Sequence, residues 1–222
     1  MDTQQLQKTT LFQGMTEAEI TEALHVLEAH EKRYEKGEIL LTAGSVTERM
    51  GLVLVGSVTI ESNDIWGNRT IISHVACGQV FAETYALLGN EPMLVDVTAN
   101  EDCLVLFLEA GGMPMRADTP RPWAWKYVTN LLFLSAHKNR LLSGRSFHTA
   151  PKTIRGRVMA YLNSVSLQQR SHEFDIPFDR QQLADYLNLE RSALSKELGK
   201  MQRDGLIACR KNHFTVCQAD SL

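Results

Sequence analysis

The segment 180–201 has the residue types and spacing of a motif that binds nucleic acid. It divides into two short predicted helices separated at Asn188. The backbone needs a positive φ where such a chain reverses, and Asn tolerates that conformation better than most residues. The first predicted helix has an apolar face at i, i+1 and i+4 spacing, formed by Leu183, Ala184 and Leu187. One side of this helix is therefore expected to pack.

The second helix is predicted from Glu190 to Met201 and separates into two faces at 100° per residue. Its packing face consists of Leu194, Leu198 and Met201, and its opposite face of Arg191, Ser192, Ser195, Lys196 and Gly199. Arg and Lys bind guanine edges in the major groove, and Ser binds several bases. An ordinary solvated surface helix is the simpler alternative. However, Ala184, Asn188 and Leu194 lie at the offsets that a helix-turn-helix requires, so we predict DNA binding.

The residues after this motif predict a β-hairpin. Asp204-Gly205 is a helix stop, and the β-prone segments 206–209 and 214–216 flank a polar turn. The turn carries Lys211 and Asn212 at its tip. A hairpin with a basic tip directly after a helix-turn-helix is typical of a winged helix, with DNA phosphates as the expected contact.

The 222 residues allow one large or two modest domains, and a composition of 44% hydrophobic and 22% charged residues favours a globular fold. No apolar run approaches the roughly 20 residues that span a bilayer. The first residues lack the apolar core of a secretory signal. Four cysteines are too few for a disulfide framework, so reduced thiols and a cytoplasmic location are expected. Residues 1–144 carry 11 Lys/Arg against 18 Asp/Glu, and residues 145–222 carry 12 against 8, which places the positive charge with the DNA-binding motif.

The first half of the chain predicts a helix followed by strands. Thr16 and Glu19 form a capping box before an apolar helical pattern. Between 34 and 108, short β-prone runs alternate with glycines, and Trp66-Gly67-Asn68 predicts a hairpin turn. Strands spaced about eight to twelve residues apart indicate an antiparallel β-roll.

A long helix is predicted from Trp123 to Leu142, after a connection rich in Gly and Pro. It is apolar over so much of its circumference that it must bury more than one face. We expect one face to pack on the roll and another on a second copy, with Leu131 in the middle of the interface and a hinge at 143–146. The predicted domains are a sensor roll (1–118), a dimerisation helix and hinge (119–144) and a winged-helix domain (145–222).

In this order, these elements resemble the Crp/Fnr family of bacterial transcription regulators over nearly the full chain. The segments that carry the resemblance are 36–38 (Lys-Gly-Glu), 52–60, 78–83 (Gly-Gln-Val-Phe-Ala-Glu) and the helix-turn-helix. The resemblance implies an α+β fold with a cyclic-nucleotide-binding-like antiparallel β-roll, a long dimerisation helix and a C-terminal winged helix-turn-helix. It also implies a homodimer on near-palindromic double-stranded DNA, with RNA polymerase as a further partner.

The family places its base-contacting residues near the start of the recognition helix. By position these are Arg191, Ser192, Ser195 and Lys196, and the phosphate contacts are Arg180 and Gln181. Ser192 stands where cyclic-AMP-sensing and oxygen-sensing members tend to carry a glutamate, and Lys196 replaces the usual arginine. Lys lacks the planar fork of Arg, so the operator is expected to differ from the half-sites of both groups.

The resemblance also implies an effector pocket, formed by Ala82, Glu83, Tyr85, Met93 and Leu94. Cyclic-nucleotide-binding members carry Gly-Glu and, ten residues later, Arg-Ser, which holds the phosphate. This chain has Ala82-Glu83 and Met93-Leu94, so a cyclic phosphate would lose a charge-assisted hydrogen bond worth about 1.5–3 kcal/mol. The expected effector is an unknown small molecule other than cyclic AMP. Two alternatives stay open: the apolar residues line a pocket or are core, and Glu83 binds a hydroxyl or is a structural cap.

No cofactor or metal is expected. An iron–sulfur cluster needs N-terminal cysteines, and no Cys precedes Cys77. Cys77 and Cys103 lie in strand-like runs, where a thiol switch or simple packing are the alternatives. Sequence motifs for enzymatic chemistry are absent, so no enzyme activity is expected. The alternative function is a ligand-binding regulatory module that acts on a protein partner.

Overall fold

The computed structural model describes residues 2–63, 69–110 and 121–217. The chain divides into two compact units, residues 1–136 (unit 1) and 137–222 (unit 2). The predicted turn at 66–68 and most of the predicted connection before the long helix lie outside the described residues.

Unit 1 begins with short helices. Helix α1 (Thr3–Gln7) and a 3₁₀ turn (Thr10–Phe12) precede helix α2 (Glu17–Val26). The hydroxyl of Thr16 accepts a hydrogen bond from the Glu19 amide at 3.2 Å, and the Glu19 carboxylate accepts one from the Thr16 amide at 2.7 Å. This reciprocal pair confirms the predicted capping box, which satisfies two amides that the first turn leaves without helical partners.

The roll consists of two four-stranded antiparallel sheets and one short helix. Its elements are β1 (His30–Tyr34), β2 (Ile39–Leu41), β3 (Arg49–Val55), β4 (Ser57–Asn63), β5 (Arg69–Ala76), β6 (Val80–Phe81), α3 (Glu83–Leu88), β7 (Asp96–Ala99) and β8 (Cys103–Glu109). The strand orders are β1-β8-β3-β6 and β2-β7-β4-β5. The prediction of an antiparallel roll is confirmed, and β4 pairs with β5 across the predicted hairpin.

The interior of the roll is filled by alternate strand residues that point inward. Val53, Phe81 and Val105 are each 0% exposed. The rings of Phe81 and Phe107 meet edge to face, with centroids 6.2 Å apart. Aromatic packing of this geometry adds to the stabilisation from burial alone.

Helix α4 (Pro122–Thr149) is longer than the sequence predicted. It passes through the predicted hinge, because a Gly in a helix costs only about 1 kcal/mol relative to Ala and does not end it. The Ala150 amide still donates to the Ser146 carbonyl, and Pro151 follows directly, as expected for a residue that cannot continue a helix. Among the described residues, no helix combines the length and apolarity needed to cross a membrane.

One face of α4 belongs to the core of unit 1. Trp123, Tyr127 and Leu131 recur every four residues and are 0–5% exposed. The prediction that Leu131 lies in a dimer interface was wrong, because its side chain is already buried within its own unit. Its neighbours Leu132 and Phe133 are both 68% exposed.

Unit 2 is a winged helix. Its elements after α4 are α5 (Ile154–Gln169), β9 (Glu173–Asp175), α6 (Arg180–Tyr186), α7 (Arg191–Arg203), β10 (Ile207–Arg210) and β11 (His213–Val216). The predicted hairpin of β10 and β11 is confirmed, and β9 pairs with its outer edge. Strand β9 was not predicted, since three residues are too short for a periodic pattern. The core of this unit contains the predicted packing residues Leu183, Ala184, Leu187, Leu194, Leu198 and Met201.

Candidate nucleic-acid interface

The helix-turn-helix is built from α6, a four-residue reversal (187–190) and α7. Asp179 caps α6 by accepting from the Gln182 amide at 2.8 Å, and the Gln182 side chain accepts from the Asp179 amide at 2.9 Å. Asn188 has φ of 52°, as predicted for the reversal. The turn therefore directs the chain from the end of α6 into the first residue of α7.

The outer face of α7 is exposed to solvent. Arg191, Ser192, Ser195 and Lys196 are all exposed, whereas Leu194 on the opposite face is 0% exposed. Within the described part of the chain, these four side chains form no hydrogen bond or ion pair with protein groups. The N-cap residue is Glu190, and the first turn of α7 after it contains no acidic residue. The exposed cations Arg191 and Lys196 favour an anionic partner along this face.

The start of α6, the start of α7 and the wing tip border one open cleft of about 830 Å³. Five of the eight predicted DNA-binding residues line it: Arg180, Gln181, Arg191, Lys211 and Asn212. The predicted residues Ser192, Ser195 and Lys196 continue along the exposed face of α7. The tertiary structure thus brings cations from three separate elements to one surface.

The side chains predicted to bind phosphates differ in how many contacts they make with the rest of the protein. The Arg180 guanidinium lies 5.3 Å from the centre of the Phe214 ring, which directs its stem along the wing. Gln181 donates to the Asp185 carboxylate at 2.8 Å. Asn212 donates from its side chain to the Ile176 carbonyl at 3.3 Å and so fixes the wing tip. Lys211 is exposed at φ of 55°.

Two acidic residues, one within α7 and one at its C-cap, are paired with an arginine of α5. Arg155 of α5 bonds the Glu197 carboxylate at 2.8 Å and the Asp204 carboxylate at 2.6 Å. These hydrogen bonds, first the one to Glu197, raise the pKa of Arg155 further. Unit 2 carries 14 Lys/Arg against 8 Asp/Glu, and unit 1 carries 9 against 18. Unit 2 is therefore the part of the chain suited to a phosphate backbone.

Comparison with known sequences agrees with these two units. The sequence model of the cyclic nucleotide-binding domain matches residues 31–113, and that of the Crp-like helix-turn-helix domain matches residues 156–222. The transcriptional activator protein FnrL of Cereibacter sphaeroides is 26% identical over 197 residues, which cover 83% of this chain and 75% of that protein. The chain belongs to the Crp/Fnr family of transcription regulators. It is a DNA-binding transcription regulator of that type.

Solved structures share the fold of this Crp/Fnr regulator. The catabolite activator protein of Thermus thermophilus is 22% identical, with 95% of each chain covered and a TM-score of 0.50. The c-di-GMP-responsive global regulator CLP of Xanthomonas campestris is 18% identical, with 91% of this chain and 100% of that chain covered and a TM-score of 0.50. Regulators of this family bind DNA, typically form dimers and are generally not enzymes.

The residues of the predicted effector pocket do not share one environment in this Crp/Fnr regulator. Met93 is 2% exposed within the core of the roll, whereas Leu94 is 75% exposed. Tyr85 is close to Leu94, because its hydroxyl accepts a hydrogen bond from the Leu94 amide at 3.2 Å. Ala82 has φ of 59° and precedes α3, and Glu83 is 5% exposed. Met93 therefore contributes to the core, and Leu94 to the surface.

The two cysteines of the roll also differ. Cys77 is exposed and lies in the turn after β5, not in a strand as predicted, and its thiol donates to the Leu54 carbonyl at 3.0 Å. Cys103 is buried in β8, and burial raises the pKa of its thiol, which disfavours the reactive thiolate. Across residues 2–63, 69–110 and 121–217, no group of three or more His, Cys, Asp or Glu side chains is arranged to hold a metal ion.

The residues of α4 and α5 that hold the helix-turn-helix in place were not identified from the sequence. The capping box of Asp179 and Gln182 was readable from its spacing. By contrast, Arg145, Arg155 and Arg157 act through contacts with residues 30 or more positions away. No local pattern identifies such contacts.

Proposed function

We propose that this regulator acts as a homodimer that contacts two successive major grooves of a near-palindromic operator through α7 of each protomer. The observation that carries this proposal is the cleft shared by Arg180, Arg191 and Lys211. Arg191, Ser192, Ser195 and Lys196 would contact base edges. Arg180, Gln181, Lys211 and Asn212 would contact phosphates and fix the register.

The exposed face of α4 supports dimerisation. Trp125, Leu132 and Phe133 are 68–77% exposed and fall within an arc of about 100° on an ideal helix. Large apolar side chains that follow one helix face are typical of a protein interface. The proposed domain organisation is a sensor roll at 1–118, a dimerisation segment at 119–144 and a DNA-binding domain at 145–222.

The proposed effector is a small molecule other than cyclic AMP. The support is a count along the sequence: ten residues on from Glu83, without a gap, Met93 and Leu94 stand where cyclic-nucleotide-binding members carry Arg and Ser. A thioether and an aliphatic chain offer a phosphate no charged donor. A partly apolar ligand, a redox event or the abundance of the protein itself would then set activity. We further propose action in the cytoplasm together with RNA polymerase, without enzymatic activity.

Selection of bound sequences from random duplex DNA tests the proposal, with and without a small-molecule cell extract. A two-fold symmetric consensus with half-sites about 10–10.5 base pairs apart is the expected result. Affinity should fall steeply with salt, because bound phosphates release counterions. Recovery of unselected sequences, or binding that does not respond to salt, would favour the alternative of a regulatory module acting on a protein partner.

A further inference from the structure

The end of α6 and the reversal after it present carbonyl groups with spare acceptor capacity. Within the described residues, only the Asp185 carbonyl among residues 185–188 also accepts a backbone hydrogen bond, from the Asn188 amide at 3.2 Å. The last carbonyls of any helix lack intrahelical partners and carry the negative end of its dipole. Helix α6 has no basic residue in its own last turn. Two arginines from other helices, Arg145 of α4 and Arg157 of α5, donate to these carbonyls.

Arg145 reaches the reversal from the end of α4. Its Nε donates to the Tyr186 carbonyl at 3.2 Å. Its Nη2 is 3.3 Å from both the Asp185 carbonyl and the Oδ1 atom of Asn188. The guanidinium also lies 5.8 Å from the centre of the Tyr186 ring. The planar fork of Arg fits this set of acceptors, which the single ammonium of Lys cannot contact together.

Arg157 holds the same reversal from α5. Its Nη1 donates to the Leu187 carbonyl at 3.2 Å and to the Asn188 carbonyl at 3.0 Å. Its Nε donates to the Pro151 carbonyl at 2.9 Å, just after the end of α4. Four consecutive residues, 185–188, therefore have their carbonyls bonded by two guanidinium groups.

These contacts fix the start of the recognition helix. Arg191 and Ser192 follow Asn188 by three and four residues, so a shift of the reversal displaces the side chains that face the bases. We propose that Arg145 is a positioning residue that sets the direction of α7 relative to the last turns of α4, and so determines operator specificity without contacting DNA. This inference rests on the proposed contact of α7 with bases.

The neighbouring aromatic residues allow the role of Arg145 to be separated from folding. Nδ1 of His148 and the Tyr186 hydroxyl lie 2.9 Å apart, and the Tyr186 ring packs against those of Tyr161 and Phe178. This packing should hold Tyr186 against the core of unit 2 when the guanidinium is replaced. Arg145→Lys is the primary variant, because it keeps the charge and removes only the fork.

The test measures dissociation constants for the selected operator and for an unrelated duplex over a range of salt concentrations. For Arg145→Lys and Arg145→Gln we expect about tenfold weaker operator binding. Binding to the unrelated duplex and the salt slope should be unchanged. Arg157→Lys should also weaken binding to the operator. Asn188→Gly should stay near wild type, because it keeps the positive φ and every carbonyl and loses only one acceptor.

Arg140→Gln is the matched control, since Arg140 is an exposed arginine of the same helix. It should leave the preference for the operator unchanged. If an Arg145 variant lost the same affinity for both duplexes and its salt slope fell by about one, Arg145 would bind a phosphate. That result would overturn the proposal. Wild-type affinity of Arg145→Lys would also overturn it. A wild-type protein without operator preference would instead refute the proposed contact of α7 with bases.

Discussion

Gly51 of β3 lies against the ring of Phe81 of β6, so closely that a Cβ on Gly51 would overlap three ring carbons. Phe81 is 0% exposed, so its ring is enclosed by the core and cannot turn aside into solvent without moving other side chains. Gly51→Ala should therefore destabilise the protein by about 1–3 kcal/mol, the usual cost of overpacking a core. Urea unfolding followed by tryptophan fluorescence and circular dichroism measures the change. A wild-type midpoint would show that the roll adapts around Phe81.

Gly144→Ala is the matched control for this substitution. Gly144 lies inside α4, and a Cβ there meets no atom within 4 Å. Ala should stabilise the helix by about 0.5–1 kcal/mol. If residue 144 instead served as the hinge that the sequence suggested, this variant would change DNA affinity as well as stability.

Arg191 and Lys211 should contribute to DNA binding in different ways. Arg191→Ala should cost about 1–3 kcal/mol on the operator and relax specificity at one symmetric position in each half-site. Lys211→Ala should weaken binding to all sequences alike and reduce the salt slope by about one. Binding assays on a panel of operator variants distinguish the two effects. An unchanged base preference for Arg191→Ala would remove it from the base-contacting set.

Phe133→Asp should break the proposed dimer without unfolding the roll, because Phe133 is 68% exposed. The resulting monomer should bind operator DNA no more tightly than non-specific DNA, with a dissociation constant of about 10⁻⁴–10⁻⁶ M. Sedimentation velocity and thermal unfolding provide the measurements. Leu131→Asp is the contrasting variant: it should unfold unit 1, since Leu131 is 5% exposed in that core. An intact Phe133→Asp dimer would place the interface elsewhere.

His213 should make stability depend on pH. Its ring nitrogens lie 3.0 Å from Asp175 and 3.0 Å from Glu173, and hydrogen bonds to these carboxylates, first Asp175, raise the pKa of the imidazole. This stabilisation is fully present below the unfolded pKa of about 6.5 and is lost as pH rises through the higher folded pKa. His148 acts in the opposite sense, because burial lowers its pKa.

The comparison of wild type with His213→Gln isolates the first effect, because both proteins retain His148. The difference in Tm between them should be largest near pH 6 and shrink towards about pH 9. A difference that stays constant over this range would show that the charge of His213 does not stabilise the wing.

Millimolar cyclic AMP or cyclic GMP should neither raise Tm nor tighten operator binding. A ligand at 100 times its dissociation constant would add about 2.7 kcal/mol of stability, which thermal unfolding detects easily. Calorimetric binding at micromolar affinity would contradict this expectation. Restoring the phosphate-binding pair is not a clean test, because Met93→Arg would place a guanidinium in the core, where Met93 is 2% exposed.

The sequence alone determined the helix-turn-helix, the wing and the antiparallel roll. These depend on short-range rules: the two faces of α7 follow from a 3.6-residue period, and Asn188 marks the reversal because of its own backbone preference. The cation types on α7 likewise indicate DNA without any tertiary information. In these segments the local conformational propensity agrees with the final fold. Their secondary structure can therefore be predicted without knowledge of distant contacts.

Only the tertiary structure decided which residues of the apolar segments are buried. Leu131 and Leu132 are adjacent and chemically identical, yet α4 turns one into the core and leaves the other exposed, and the same is true of Met93 and Leu94. A helix that is apolar all round does not specify its buried face. The contacts of Arg145 and Arg157 with residues 185–188 join segments at least 30 positions apart, and only the packing of α4, α5 and α6 brings them together.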